Sequence, residues 1–516
     1  TMMRAHNYRA DCGHPKARMA ADSFSTRALL RDIAVRIGSD VFNVFTNLVT
    51  ILFLANYLGS TDYGIYMQVI TTATLLVPLL IMRLNTASVR FFPSICDDNG
   101  LLKDHVMTIL MVVVVVCSLT ALLLVVMTPF STRLIFGSDM GARLVIVLSL
   151  FVVLRCVSVL LIDYFRALNL IIQASLYNSI RFLAILAGVL LAIIGRLEVT
   201  GIILAQCCAE LIVLLLVTAR LARRQVFGIP FRFSLDRLSS YFRSSFPLVP
   251  YSFLLGVNQL SDRYFIAHMI DIDAAGIYAF TYIMISAAFL LAASLSYVIY
   301  PYLSRLWQNG EMEEVSRYID IGQKIFVFFG LPIAFGVYVI YRPLVTLLAG
   351  DGFVVSDAVV IWITVGHFFF GLCCIVGYVI DLSKKTVIYL QILVLTSVIN
   401  LLLNWLLIPV IGMQGAAIST AVTYAVQLLS LSRMSSKLVP FRMAINQRFL
   451  AVCLAGSAIM CLLLLLLQPA DDVAGLVLIV LAGIIIYISV TLPFTWRMLM
   501  NVVSMIRPRS LEPKEQ

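Results

Sequence analysis

Four arginines, Arg83, Arg155, Arg181 and Arg263, interrupt long apolar runs of this sequence. At the centre of a bilayer each would cost roughly 2.5–3.5 kcal/mol on insertion scales, and the set on the order of 10 kcal/mol. A chain keeps such residues where they face one another, acidic partners or a water-filled path. The acids at similar depth are Asp163, Glu210 and Asp262. Positive charge is left over, and a guanidinium presents donors that suit phosphate and carboxylate groups. The chemistry these residues could do is recognition of an anion inside a membrane.

The elements that must position them follow from composition. Hydrophobic residues make up 61% of the 516, charged residues only 12%, and the mean hydropathy is +1.00. A soluble protein carries about twice that charged fraction. Apolar segments about 20 residues long, the length of one crossing, recur along the sequence. The pattern predicts an all-α polytopic membrane protein of about 14 transmembrane helices. It reads as two parallel six-helix bundles plus a C-terminal helix pair. A basic cytoplasmic N-terminus (1–35) precedes a first bundle (36–221), whose second span is placed at 64–89. A basic amphipathic linker (222–245), suited to anionic headgroups, joins it to a second bundle (246–437), whose second span is placed at 275–300. The helix pair (446–497) and a cytoplasmic tail (498–516) complete the chain. Thr1 to about Ala21 reads as disordered, and no cleavable signal peptide is visible.

Two patterns support this layout. With the N-terminus inside, loop Lys and Arg fall on the inner side except for Arg133, Arg143, Arg196 and Arg342, which places both termini in the cytoplasm. The formal net charge of +10 therefore reads as topology and not as nucleic-acid affinity. The sequence also repeats itself. Gly64-Ile65-Tyr66 returns as Gly276-Ile277-Tyr278, Phe92-Pro93 as Tyr300-Pro301, and Gly201 as the glycine of Gly415-Ala416-Ala417. Parallel repeats relate the halves about an axis along the membrane normal, with the substrate path between them.

Other residues refine the picture. Arg36, Asp40, Asn43, Asn47 and Thr50 lie on one face of the first span, with Arg36 and Asp40 placed as an i,i+4 pair. That stripe is open to two readings, hydrogen bonding between helices or a cavity wall. Asn258, Gln259, Ser261, Asp262 and Arg263 cluster on the seventh span, after Pro247, Pro250 and Gly256, which would let the helix bend. Asp262 and Arg263 point about 100° apart on a helix and cannot neutralise each other fully. Arg155 and Glu210 lie at matched depth on spans four and six, which predicts an ion pair. Arg83 and Arg181 either snorkel to the inner interface or face inward as part of a staggered cationic ladder. Asp271-Ile272-Asp273 is better suited to capping a helix than to holding a metal. His367 reads as packed, with proton relay as the other option. The ten cysteines read as apolar packing residues. No catalytic group, metal site, cofactor or nucleotide-binding motif is expected.

The stretches Tyr57-Leu58-Gly59-Ser60-Thr61-Asp62-Tyr63-Gly64-Ile65-Tyr66 and Leu84-Asn85-Thr86-Ala87-Ser88-Val89-Arg90-Phe91-Phe92-Pro93 resemble the N-terminal signature of bacterial oligosaccharide flippases. These are the polysaccharide transporters of the multidrug/oligosaccharidyl-lipid/polysaccharide superfamily. Asp262-Arg263 and Ala275-Gly276-Ile277-Tyr278 resemble that family's second-half signature. The resemblance implies a monomeric, non-enzymatic flippase of the bacterial cytoplasmic membrane. It would move an undecaprenyl-pyrophosphate-linked oligosaccharide by alternating access, for cell-surface polysaccharide such as O-antigen or exopolysaccharide. The partners implied are the lipid-linked oligosaccharide, membrane lipids, and a polysaccharide polymerase with its export machinery; no nucleic acid is implied. From charge and depth, Arg263, Arg83, Arg181 and Arg155 would form a cationic cavity. Asp40, Asn43, Asn47, Asn258 and Gln259 would make its polar wall, with Asp262 and Glu210 as coupling or ion-pair groups. The uncharged last two spans would border a groove for the polyprenyl tail. The alternative is a drug or small-molecule antiporter of the same superfamily, driven by H⁺ or Na⁺ through Asp40 or Asp262.

Overall fold

The computed structural model describes residues 26–92, 95, 98–137, 141–168, 170–225, 227–229, 231–246, 248–289, 303–383, 385–439, 447–467 and 472–506. The disordered reading of residues 1–21, the Tyr300-Pro301 match and the tail beyond 506 lie outside them. The described residues form a multi-pass helical membrane protein. Eleven described helices are long and apolar enough to cross a membrane by length and composition.

The first helix differs from expectation. The chain reads as two spans separated by a turn, yet α1 (Thr26–Leu80) runs as 55 residues of helix bent at Gly59. Gly59 takes φ 70° and ψ 177°, a conformation that L-residues rarely adopt. The bend takes a single residue, so Ser60, Thr61 and Asp62 already belong to the helix that follows it. The second span also ends early. Met82 (φ 51°) and Arg83 (φ 55°) are left-handed, at about 1–2 kcal/mol each for residues bearing a Cβ. No helix continues through such a pair. Pro78 has already removed one donor from the preceding turn. A separate short helix, α2 (Leu84–Phe91), completes the expected 64–89 segment.

The rest of the first half is α3 (Asn99–Val126), the short α4 (Thr128–Phe136), α5 (Ala142–Ala167), α6 (Ile171–Ile194) and α7 (Val199–Arg223). Within the linker, α8 (Leu235–Ser245) docks on α2 and α3. Its Tyr241 ring packs edge-on to Phe91, centroids 4.9 Å apart. The second half comprises α9 (Leu248–Met269), α10 (Ile272–Ala288), α11 (Met312–Ala349), α12 (Asp357–Leu382), α13 (Thr386–Ile411) and α14 (Met413–Ser435). The expected continuation of α10 to residue 300 lies outside the described residues. Finally α15 (Gln447–Leu467) and α16 (Val473–Ile506) pack on each other and on α11. Tyr487 donates to the Phe328 carbonyl at 2.7 Å there. The eight described cysteines are unpaired and all lie in helices, six of them buried.

Neighbour relations repeat between the halves. In the first, α1 packs on α6, α6 on α7, α7 on α5 and α5 on α3; in the second, α9 packs on α13, α13 on α14, α14 on α12 and α12 on α11. Residues 212 positions apart also meet each other. Gly64 and Gly276 cross so closely that a Cβ on Gly276 would lie 2.6 Å from the Gly64 Cα. Thr61 Oγ1 donates to Asp273 Oδ1 at 3.0 Å. Equivalent residues touch only near the axis that relates the halves, so this crossing marks it. On the topology expected from the loop charges, with both termini inside, this would be the outer face.

Candidate functional site

The seam between the halves is closed at this end. Beside the glycine crossing, the buried Tyr63 ring packs edge-on to Phe280 and Phe353 of the second half, at 6.0 and 5.4 Å. His268 Nε2 donates to the Arg133 carbonyl at 2.9 Å, where Gly137 lies close against Ala267 and His268. Asn56 donates to the Leu348 carbonyl. Asp271 accepts from the Ala274 N–H at 2.7 Å, so it caps α10, and Asp273 takes the Thr61 hydroxyl. Among the described residues, no group of three potential metal ligands forms.

About two turns along α1 from the glycine crossing sits Arg263. It is 6% exposed, donates from Nη1 to Thr71 Oγ1 across the seam at 3.1 Å, and stacks on Tyr282 with Cζ 5.4 Å from the ring centre. Tyr264 repeats the crossing, its hydroxyl 2.7 Å from Thr72 Oγ1. Asp262 points the other way, as the 100° separation demands. Its Oδ2 accepts from Tyr278 (3.0 Å) and from Thr420 (2.8 Å), and Oδ1 is buried with no partner. The same polar layer continues between α9 and α13. Asn258 donates to Thr396 (3.0 Å), Ser261 to Asn400 (2.7 Å), and Asn404 to Asn400 (3.1 Å). Asn258 is thus held between helices of one half, whereas Gln259 is half-buried. His367 is packed, its Nδ1 2.9 Å from the Ile363 carbonyl and its ring against Tyr282.

A second group lies inside the first half. Arg155 Nη1 meets Glu210 Oε1 at 2.5 Å, with the carboxylate fully buried. Arg181, 6% exposed, has Arg155, Glu210 and Asp163 as its charged neighbours, and Cζ lies 5.0 Å from the Phe182 ring. No carboxylate lies within ion-pair distance of Arg181 among the described residues, and its Nε is buried without a partner. Arg83 is half-buried at the break between α1 and α2, with Tyr251 of the second half, Arg166 and Asp163 as electrostatic neighbours. Asp163 itself is engaged by Asn85 (2.6 Å) and Arg166 (3.5 Å). The structure therefore gathers Arg155, Arg181 and Glu210 into one cluster. Arg263 is apart from them on the seam, and Arg83 is at the break between α1 and α2.

The residues of the polar stripe of α1 have different surroundings. Arg36 and Asp40 pair at 3.0 Å. Asn43 donates to Ser39 within α1 at 3.4 Å, and Ser39 in turn meets Ser179 of α6 at 2.8 Å, a contact between helices. Asn47 is exposed. The hydroxyl partners of this layer, Thr71, Tyr278 and Thr420, are not singled out by residue type alone. The repeat does carry a signal for Tyr278. Its counterpart Tyr66, 212 residues earlier, accepts from Gln206 at 2.8 Å, so both tyrosines of the Gly-Ile-Tyr motif hold a buried polar contact.

With this geometry in view, three similarities can be placed. The chain is 16% identical to the lipid II flippase MurJ in its inward closed conformation, with a TM-score of 0.73 over 90% of this chain and 100% of that one. It is 13% identical to an inward-facing multidrug resistance MATE family transporter of the MOP superfamily, with a TM-score of 0.65 over 79% and 98%. At such identities these likenesses establish the fold. In sequence, 220 residues are 22% identical to the probable low-salt glycan biosynthesis flippase Agl15 of Haloferax volcanii, covering 42% of this chain and 46% of that protein. The chain thus spans just under half the length of that curated relative. The pattern of the polysaccharide biosynthesis protein family matches residues 29–307, more than half of the chain. The chain belongs to the polysaccharide biosynthesis protein family.

Proposed function

We propose that this protein flips a lipid-linked oligosaccharide, carried on undecaprenyl pyrophosphate, across the cytoplasmic membrane by alternating access between its halves. The observation that carries the reading is the charge imbalance. Arg83, Arg181 and Arg263 have no carboxylate at ion-pair distance among the described residues, while Arg155 is compensated by Glu210. Buried unpaired guanidiniums are costly unless an anion visits them, and a pyrophosphate offers multidentate acceptors. The closed outer seam supports loading from the inner side. Arg83 and Arg181 attract the pyrophosphate there, and Arg263, bonded to Thr71 only while the seam is shut, exchanges that hydroxyl for the cargo as the halves part. Exposed Asn47 and half-buried Gln259 serve sugar hydroxyls. The α15–α16 pair offers its uncharged surface to the polyprenyl tail. Delivery to a polymerase and export machinery belongs to the same reading.

The test is reconstitution in vesicles with a fluorescent undecaprenyl-pyrophosphate oligosaccharide. Arg181→Ala and Arg263→Ala are expected to slow translocation while the protein still folds. Wild-type rates in both would contradict the cavity assignment.

A second reading is favoured by one feature. Asp262 is a buried carboxylate held by two hydroxyls with one oxygen unpartnered, the kind of group that could carry H⁺ or Na⁺ in an antiporter. Efflux of cationic dyes, abolished by Asp262→Asn, with no movement of lipid-linked sugar, would select it.

A further inference from the structure

A cavity of about 340 Å³ lies on the seam, and none of the four arginines lines it. Leu75 and Leu79 of α1 form one wall, Met127 and Phe130 at the α3–α4 corner a second, and Phe253 and Tyr264 of α9 the third. The volume is within the roughly 300–1,000 Å³ of ligand sites. Phe253 and Tyr264 are eleven residues apart on one helix, so the slot runs roughly 16 Å along α9 at 1.5 Å per residue. Its length and narrowness suit a chain and not a compact molecule.

The lining decides the chemistry. Its polar side chains are already committed: the Thr72 and Tyr264 hydroxyls bond each other at 2.7 Å, and Ser131 donates to the Leu124 carbonyl at 3.1 Å. Water in this slot would find no partners, and neither would a sugar or phosphate. The mouth is equally apolar, with Leu123 57% and Phe130 59% exposed at the outer ends of the first-half helices. In a bilayer that mouth faces hydrocarbon.

We propose that the slot binds one acyl chain of an outer-leaflet membrane phospholipid, inserted between the two halves. Its walls belong to both halves, and its floor is the Thr72–Tyr264 bond across them. The chain therefore has its full site only while the outer seam is closed, and by differential affinity it favours that state. The site is independent of the cargo and of the arginines.

The experiment uses the full chain in phosphatidylethanolamine–phosphatidylglycerol nanodiscs containing a trace of phosphatidylcholine with a diazirine in its acyl chain. Photolabelled positions are mapped by mass spectrometry. Labelling at Leu75, Leu79 and Phe253 is expected to exceed, several-fold, that at Ile486, a half-buried residue of α16. Leu75→Trp, which fills the slot, is expected to abolish the excess and leave Ile486 unchanged. Leu123→Trp, at the exposed mouth where it disturbs no core, is expected to reduce it and provides the test if Leu75→Trp fails to fold. Labelling no higher than at Ile486, or unaffected by Leu123→Trp, would overturn the proposal. So would competition by undecaprenyl phosphate but not by added phospholipid, which would make the occupant a prenyl tail.

Discussion

Arg155 and Glu210 sit 2.5 Å apart with the carboxylate fully buried, so removing either strands the other in an apolar bundle. Arg155→Met should destabilise the protein by about 3–5 kcal/mol, the usual cost of breaking a buried pair. Arg155→Met combined with Glu210→Gln should recover most of that, and denaturant unfolding in detergent micelles measures both. Arg263 has a different task. Arg263→Lys keeps the charge but loses the fork that reaches Thr71 and the plane that lies on Tyr282. Transport by the lysine variant should fall between wild type and Arg263→Ala. The two arginines were not equally legible. Matched depth on two spans predicts Arg155–Glu210, and the 100° step separates Asp262 from Arg263. Thr71, Tyr278 and Thr420 were not readable as partners, because helices apolar on every side carry little periodicity to say which faces meet.

Among the elements, α1 carries the strongest conformational demands. The repeat marks Gly64 and Gly276, but not that they touch; that follows from packing about the axis. A Cβ on Gly64 would meet the Ile272 carbonyl, so backbone must move to admit it. Gly64→Val should therefore open the outer seam. Labelling of a Tyr63→Cys reporter, at a buried position of the same crossing, by an impermeant maleimide should rise several-fold over the same reporter in the wild-type background. Two spans separated by a turn are expected around Gly59, but Gly59 alone makes the bend and the residues after it are already helical. The break at Met82 and Arg83 has no such flag. Two ordinary side chains adopt left-handed backbone there, and only the surrounding packing holds them in it. The hydrophobic pattern of 64–89 reads straight through the break for that reason.

For the whole molecule, the essential relation is that halves with the same order of helices close against each other at one end. Joining Thr61→Cys to Asp273→Cys with a short thiol cross-linker should hold that end shut and stop transport, and a cleavable linker should restore it on reduction. The repeat of about 212 residues singles out Gly64 and Gly276, which the structure brings into contact, and the surplus of arginine follows from counting. How that surplus divides between a first-half cluster and the seam required the packed structure. The central claim is that unpaired arginines in this membrane interior recognise the cargo's pyrophosphate. Its most direct test is the initial flipping rate of undecaprenyl-pyrophosphate oligosaccharide in vesicles for Arg181→Ala and Arg263→Ala, matched for folded protein. Losing one charge-assisted contact worth about 1.5–3 kcal/mol predicts a fall of at least about tenfold in each. Wild-type rates in both variants would contradict the account.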